Sequence, residues 1–220
     1  DTMRPVTEWS LALNYALGGL HVWGYHAANL LIHLVAALLL FGIVRRTCWS
    51  GLLRERYGAS ADVLALVTAL CWVVHPLQTQ SVTYISQRAE SLAGLCALLT
   101  LYSVLRAATT SPTGRWKLLA MLACLIGMGA KPIMVTIPLM VFLYDRVFLA
   151  GSYRTLLRQR WTLYAGLASS WVVLAILLTR ISRVFEPTAG FTMQGITWRE
   201  YALTQPGVIL HYLKLALWPL

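Results

Sequence analysis

Long apolar runs, separated by short clusters of arginine and lysine, constrain the fold of this chain more than any other feature. Several of the runs approach the ~20 residues that an α-helix needs to cross the hydrocarbon core of a membrane. Only 12% of the 220 residues are charged, whereas a soluble domain has roughly 25%. Backbone polar groups in lipid are paired only within helices or closed barrels, and these runs do not alternate as barrel strands do. The sequence therefore predicts an all-α, polytopic bundle of transmembrane helices.

The apolar runs predict about seven membrane spans in one transmembrane domain covering residues 1–220. An interfacial helix over residues 4–20 is expected before the first span. The predicted spans are residues 22–44, 61–74, 90–105, 116–130, 133–149, 161–178 and 206 onward. Because the sequence opens on Asp1 and stops inside the last apolar run, we expect a fragment of a longer protein.

The positive charges between the spans predict the side of the membrane on which each loop lies. Residues 45–60, 106–117 and 145–160 hold 11 of the 18 lysines and arginines. Short loops rich in these residues face the cytoplasm, so we expect these three loops there. Residues 75–90, the Lys131-Pro132 break and residues 179–205 then share the outer or lumenal side.

Residues 75–90, HPLQTQSVTYISQRAE, form the most polar sustained passage of the sequence and lie between two apolar runs. A loop that only reversed the chain would not need His75, Arg88 and Glu90 together. Arginine at the outer end of a span suits a lipid-linked phosphate, because its planar guanidinium matches phosphate oxygens. Lys131 is a second cation at this level. The alternative is that these cations extend to the interface or pair with a carboxylate, and that His75 simply ends a helix.

His26, Asn29 and His33 share one face of the first predicted span, because they lie at positions i, i+3 and i+7. A polar stripe facing lipid is costly, so we expect this face to contact protein. Interhelical hydrogen bonding is the simpler interpretation, and metal binding by two histidines and an amide is the alternative. No cysteine spacing typical of a metal site is present, and we expect no bound metal. The net charge of +10 lies mainly between spans, so we expect no nucleic-acid partner.

Four passages carry a family resemblance, and they occur in the right order along the chain. They are RPVTEWSLALNYALGGLHVWGYHAANLLIHLVAALLL, HPLQTQSVTYISQRAESLAG, the passage from Lys131 to Asp145 and the terminal YLKLALWPL. The second resembles the HP-x-H-T-E-x-V-x-x-I-x-x-R-x-E/D segment of the transmembrane and tetratricopeptide-repeat O-mannosyltransferase-like proteins. The others are similar to that family's RP…GYH-x-x-N-x-x-x-H passage, to its K-E…D passage and to the stretch before its second outer loop.

The resemblance implies a GT-C-class membrane glycosyltransferase, a hexosyltransferase that uses a polyprenyl- or dolichyl-phosphate-linked sugar on the outer or lumenal face. That sugar is a substrate, and no cofactor is implied, while a requirement for a divalent metal stays open. By resemblance, the donor phosphate would bind to Arg88, Lys131 and Arg4. Glu90 and His75 are candidate catalytic groups, the main acid being expected upstream of Asp1. The residues implied to line the site are His26, Asn29, His33, Gln80 and Tyr84.

Departures from the family pattern leave the activity open. Gln78 and Gln80 stand where the family has His and Glu, and Pro132 stands where Glu follows the Lys. The family's first span, first outer loop and repeats are not within the sequence. The main alternative is a non-catalytic transmembrane scaffold or an accessory subunit that binds other membrane subunits, and a transporter or flippase is a third class. Arginine far exceeds lysine, which is associated with GC-rich bacterial genomes, so a bacterial inner membrane is expected before the endoplasmic reticulum.

Overall fold

The structure, a computed structural model, describes residues 4–51, 53–150, 152–181 and 197–217. These residues form α-helices and short helical turns with no β-strand, which confirms the predicted fold class. The α-helices, in chain order, are α1 (Pro5–Gly18), α2 (Val22–Cys48), α3 (Leu53–Tyr57), α4 (Ala61–Val73), α5 (Thr79–Thr83), α6 (Arg88–Thr109), α7 (Gly114–Ala130), α8 (Ile137–Asp145), α9 (Tyr153–Ile181) and α10 (Trp198–Leu217).

Among the described residues, five segments are long and apolar enough to cross a membrane. Our prediction of about seven spans also included α7 and α10, which fall outside this set. The α7 helix has 17 residues, which is at the lower limit for a span. The α10 helix contains Pro206 and polar residues in its first half. The five segments are Val22–Cys48, Arg54–Val73, Ile85–Thr109, Pro132–Leu149 and Arg158–Leu177.

Small side chains let α6 and α7 pack closely at the centre of the bundle. Ala93 and Cys96 of α6 and Ala120 and Cys124 of α7 are all buried. A Cβ atom added to Gly127 would lie 2.9 Å from Cβ of Cys96, so glycine is required where the two helices approach most closely. Interfaces of small residues are typical of membrane helices, because no water is released when such helices associate.

The α4 helix shows the same principle on the other side of α2. Its buried residues Ala61, Ala65 and Ala69 recur every fourth position and therefore share one face. The large apolar side chains on its remaining surface, such as Val63 and Val67, are exposed, as expected for a surface that faces lipid. The α2–α4 pair thus buries small residues and exposes large ones.

Contacts at the two ends of the bundle separate the loops as the charge count predicts. At one end, which we call the inner end, Arg45 pairs with Asp62 at 2.5 Å, and the hydroxyl groups of Thr47 and Tyr144 form a hydrogen bond. At the opposite, outer end, a residue of the 75–90 passage forms an ion pair with Lys131. The assignment of the inner end to the cytoplasm stays a prediction. Residues 182–196, part of the predicted outer stretch 179–205, lie outside the described residues.

The α1 helix lies against the outer end of the bundle and is too short, at 14 residues, to cross a membrane. Its Thr7 hydroxyl donates a hydrogen bond to the carbonyl oxygen of Ala130 at 3.2 Å. A Cβ atom at Gly129 would lie 2.8 Å from Cγ2 of Val6, so this glycine lets α1 sit on the end of α7. Trp9 is 82% exposed, which suits the interfacial position predicted for this helix.

Candidate functional site

The polar passage 75–90 is not one continuous helix. His75 is extended, Pro76–Gln78 and Ile85–Gln87 are 3₁₀ turns on either side of α5, and α6 begins at Arg88. The residue before a proline disfavours helical geometry, which explains the break at His75. Irregular backbone at membrane level is tolerated only where it is buried in protein or lines a cavity. The irregular backbone of this passage is therefore of the kind expected where a membrane protein lines a binding site.

Arg88, the first residue of α6, is 1% exposed and holds three helices together. Its Nε donates to Oδ1 of Asn29 at 2.7 Å, and its Nη2 donates to the carbonyl oxygen of Tyr25 at 2.9 Å. Its Nη1 donates to the carbonyl oxygen of Ser10 at 3.2 Å and to Oδ1 of Asn14. Within the described part of the chain, no carboxylate forms an ion pair with Arg88. Neutral groups therefore surround this positive charge, and none of the described residues supplies a counter-charge.

Glu90 is two residues from Arg88, so the helical turn of about 100° per residue places the two side chains on opposite faces of α6. The Glu90 carboxylate forms an ion pair with the ammonium of Lys131, and their side chains are 44% and 23% exposed. Burial, and then the positive charge of Arg4, lower the pKa of Lys131. We call the Glu90–Lys131 pair, together with Arg4, whose charge acts on Lys131, the outer charge cluster.

A pocket of about 220 Å³ opens beside Glu90, between α2, α4 and α6. This volume is below the ~300–1,000 Å³ of pockets for drug-sized ligands, so the pocket suits one small group of a larger substrate. Its polar groups come from four different parts of the chain. The side chains that line it include His33, Trp72, Gln78, Ser81, Glu90 and Ser91.

The three polar residues that were predicted to share one face of α2 contact protein, as their helical spacing predicts. His26 Nδ1 lies 3.3 Å from the carbonyl oxygen of Val82, and His33 Nε2 lies 3.1 Å from that of Val73. The His33 ring also stacks on Trp72 with a centroid distance of 4.7 Å. Asn29 is fully buried against Arg88. In the ranges that the structure describes, no three His, Cys, Asp or Glu side chains are grouped as a metal site requires.

His75 has both ring nitrogens in hydrogen bonds. Nδ1 accepts from the backbone N–H of Leu77 at 3.2 Å, and Nε2 lies 3.0 Å from the carbonyl oxygen of Ala216 in α10. A neutral ring with its hydrogen on Nε2 satisfies both contacts. In this arrangement His75 caps a turn and attaches α10 to the outer end, and its catalytic role stays a prediction.

The structure brings together some of the predicted site residues and separates others. Glu90 pairs with Lys131, the charge of Arg4 acts on Lys131, and His33 and Glu90 line the same pocket. Arg88 lies on the opposite face of α6 and does not line the pocket. Gln80 and Tyr84 are exposed and also lie outside its lining, so their role as site-lining residues stays a prediction.

Sequence reasoning missed three of the four residues that bind Arg88 and several residues that line the pocket. Asn14 is a polar residue in the mainly apolar second half of α1, which was the available signal that this helix has a buried partner. Tyr25 binds Arg88 through its backbone carbonyl, which no side-chain pattern could have indicated. Trp72 and Ser81 line the pocket because of the fold around α4 and α5, not because of any sequence spacing.

Comparisons with known proteins agree in identifying one family. The family described as dolichyl-phosphate-mannose-protein mannosyltransferase matches residues 3–179. The chain is 36% identical to protein O-mannosyl-transferase Tmtc3 of Drosophila melanogaster over 104 residues, which are 43% of this chain and 11% of that protein. It is 32% identical to protein O-mannosyl-transferase Tmtc2 of the same organism over 151 residues, 64% of this chain and 15% of that protein.

A human relative gives a similar result. The chain is 35% identical to protein O-mannosyl-transferase TMTC1 of Homo sapiens over 100 residues, which are 46% of this chain and 10% of that protein. The matched regions therefore span between 10% and 15% of the length of these relatives. No solved structure matches the chain.

Proposed function

The chain belongs to the dolichyl-phosphate-mannose-protein mannosyltransferase family, and from this premise we propose that it is the membrane part of a GT-C-type glycosyltransferase. Its donor is a sugar linked to polyprenyl or dolichyl phosphate, taken from the outer or lumenal face. The observation that carries the proposal is the outer charge cluster beside the pocket. There the Lys131 ammonium, paired with the partly exposed Glu90 carboxylate, lies where a lipid phosphate reaches the membrane surface.

The cations of the outer charge cluster stabilise the phosphate as the sugar leaves it. When the bond between the sugar and the phosphate breaks, negative charge grows on the lipid phosphate, and fixed cations in a poorly solvated site stabilise that charge. Lys131 is partly buried and is held in place by Glu90. The charge of Arg4 acts on Lys131, and in the proposed site both cations bind one phosphate.

Glu90 is the candidate general base within the described residues. In the free protein its carboxylate is paired with Lys131. Binding of the donor phosphate draws Lys131 away from this carboxylate, which is then able to accept the proton of an acceptor hydroxyl in the pocket. Donor binding would therefore activate the base, so that sugar transfer occurs only when the donor is bound.

Arg88 acts on this site as a positioning residue. Its Nε and both of its Nη groups already donate hydrogen bonds to α1 and α2, so a phosphate would have to displace an existing partner. Its charge, which no described carboxylate neutralises, still favours an anion near the start of α6. Direct binding of the phosphate by Arg88 stays a prediction, and the geometry supports the positioning role better.

Binding of dolichyl phosphate to the full-length protein, purified in detergent, tests the donor site. Removing the charge-assisted contact in Lys131→Gln should weaken binding roughly 10- to 150-fold, the equivalent of about 1.5–3 kcal/mol. Lys117→Gln is the matched control, because Lys117 is in the first turn of α7 at the opposite end of that helix. Equal affinity of Lys131→Gln and wild type would overturn the proposed donor site.

The second candidate function, a non-catalytic scaffold or accessory subunit, is supported by Gln78. A neutral amide lines the pocket at a position where the family has an ionisable histidine. Turnover of a dolichyl-phosphate-linked mannose separates the two functions. In the enzyme, Glu90→Gln keeps donor binding and loses transfer, whereas in a scaffold no transfer is present in wild type and the substitution changes only assembly with other membrane subunits.

The orientation of the spans is tested by labelling single cysteines in sealed vesicles. Cys71 is exposed, so the background must carry Cys71→Ser. Cysteines at Ser60 and Ser81 should react from opposite sides, and reaction from the same side would contradict the orientation.

The arginine-rich composition underlies our preference for a bacterial inner membrane. The relatives named above are animal proteins and do not support that preference over the endoplasmic reticulum.

A further inference from the structure

A groove of about 600 Å³ lies at the inner end of the bundle, opposite the proposed donor site. It runs along α2 and is closed on one side by residues of α6. The α2 residues that line it follow helical spacing and form one continuous stripe on the helix surface. Five of them, together with Trp49 directly after the helix, define the groove: Val35, Leu38, Gly42, Arg45, Arg46 and Trp49.

The dimensions of this stripe correspond to one leaflet of a membrane. Val35 and Arg45 are ten residues apart, which is about 15 Å along a helix axis. Half of the ~30 Å hydrocarbon core has the same thickness. The part of the stripe toward the middle of the membrane is apolar, and the arginines lie at its inner end, at the depth where the lipid headgroups begin. The rings of Trp49 and Tyr102 lie 5.3 Å and 5.6 Å from the guanidinium groups of Arg45 and Arg46, respectively, and such aromatic residues are enriched at membrane interfaces.

The floor of the groove is the ring of Tyr102, which lies directly on the backbone of α2. A Cβ atom added to Gly42 would lie 2.7 Å from Cε2 of that ring, so a glycine is needed for this contact. The guanidinium of Arg46 lies 5.6 Å from the centre of the same ring. The groove is therefore a defined cavity with a cation fixed over its floor, rather than a loosely packed surface.

The two arginines of the groove differ in how their charge is compensated. Arg45 pairs with Asp62 at 2.5 Å. Arg46 is half-buried, and in the part of the chain that the structure describes no carboxylate forms an ion pair with it. Its described contact is with the Tyr102 ring. The mouth of the groove thus keeps a positive charge on a planar guanidinium, the group best suited to a phosphate.

We propose that this groove binds an anionic glycerophospholipid from the leaflet on the arginine-rich side of the membrane. The lipid phosphate contacts Arg46, and an acyl chain lies along Val35 and Leu38. A transmembrane helix is the other occupant to consider. It would bury the Arg46 charge without compensating it unless it carried a carboxylate at that depth, whereas an anionic lipid supplies both the negative charge and the apolar chain.

The test uses the purified full-length protein in detergent with dioleoylphosphatidylglycerol and dioleoylphosphatidylcholine as probes, and native mass spectrometry as the readout. Wild type should bind the anionic lipid more tightly, and Arg46→Gln should weaken that binding about ten-fold, as the loss of one charge-assisted contact predicts. Arg115→Gln is the matched control. Its arginine is on the same side of the bundle and lies 5.6 Å from the Trp116 ring, but it does not line the groove.

A second variant tests the apolar part of the groove without touching its charge. Leu38 is 69% exposed, so Leu38→Trp should fold and fill the groove. It should reduce binding of both lipids. Equal losses in Arg46→Gln and Arg115→Gln, or no preference of wild type for the anionic lipid, would overturn the proposal. Normal lipid binding by Leu38→Trp would also overturn it. If that variant in addition no longer packed against another transmembrane helix of the full-length protein, a helix would be the occupant of the groove.

Discussion

Arg88 and Asp145 are two buried charges at opposite ends of the bundle, 1% and 0% exposed, and the protein compensates them differently. Asp145 at the inner end forms an ion pair with Arg160 and accepts a hydrogen bond from the Tyr164 hydroxyl at 2.5 Å. Arg88 at the outer end has only amide and carbonyl oxygens as described hydrogen-bond partners. The charge of Asp145 is neutralised by a partner of opposite charge, whereas none of the described partners of Arg88 carries a negative charge.

The difference indicates what each end of the bundle does. The Asp145–Arg160 pair joins the end of α8 to α9 and leaves no net charge, which is the property of a structural clamp. A buried charge without a counter-charge is costly in a membrane, and such charges are usually retained for function. Arg88 meets this description, because it directs its positive charge into the end of the bundle that holds the outer charge cluster.

The largest effect that the comparison predicts is that of Arg88→Met. This substitution leaves the acceptors on Asn14, Asn29 and two backbone carbonyls without their donor, and each buried unsatisfied group costs about 1–3 kcal/mol. We therefore expect a loss of more than about 3 kcal/mol in unfolding free energy, seen as a lower midpoint of thermal unfolding in detergent. Arg115→Met, at an exposed position, is the control. Equal stability of the two variants would contradict the anchoring role of Arg88.

The next effect concerns the clamp at the inner end. Breaking a buried ion pair by removing one partner costs about 3–5 kcal/mol, so Asp145→Asn and Arg160→Gln should each be strongly destabilising. The double variant should lose less than the sum, by about 0.5–3 kcal/mol. Arg88→Met combined with Asn29→Leu should recover only a small part of its loss, because three of the four acceptors of Arg88 still lack their donor. Additive losses at Asp145 and Arg160 in a double-mutant cycle would remove the distinction between the two ends.

The fold was largely predictable from the sequence, because a membrane span needs only a long apolar run. The shared face of His26, Asn29 and His33 was also predictable, because it requires only helical spacing. The separation of Arg88 from Glu90 was not predictable. The third span was predicted to start near residue 90, whereas α6 begins at Arg88. Residues 88 and 89 are therefore part of the helix, and helical geometry directs the charges of Arg88 and Glu90 to opposite faces of α6.

The remaining features of the site depend on contacts between distant parts of the chain. The pairing of Glu90 with Lys131 requires α6 and α7 to end at the same level, which follows from the packing of small residues such as Gly127 and Cys96. The hydrogen bond from Arg88 to Asn14 joins residues that are 74 positions apart. A single sequence carries no direct signal for such pairings.

A smaller effect on stability is predicted for the outer charge cluster. Glu90 and Lys131 are partly exposed, and exposed ion pairs typically contribute about 0.2–1 kcal/mol. Glu90→Gln should therefore change the unfolding free energy by less than about 1 kcal/mol while it abolishes sugar transfer in the full-length protein. Thermal unfolding and transfer must be measured on the same preparation. A stability loss as large as that of Asp145→Asn would make Glu90 a structural residue rather than a catalytic one.

The smallest effect is predicted for the pair between Arg45 and Asp62, whose side chains are 44% and 61% exposed. Water and salt screen such a pair, so Asp62→Asn should change the unfolding free energy by at most about 0.5 kcal/mol. The substitution does, however, leave Arg45 without its counter-charge at the mouth of the inner groove. Native mass spectrometry should therefore show tighter binding of phosphatidylglycerol, with the affinity for phosphatidylcholine unchanged. Weaker binding of phosphatidylglycerol in this variant would mean that Asp62 orients Arg45 for the lipid, and the groove would then resemble the neutralised clamp more than the charged outer end.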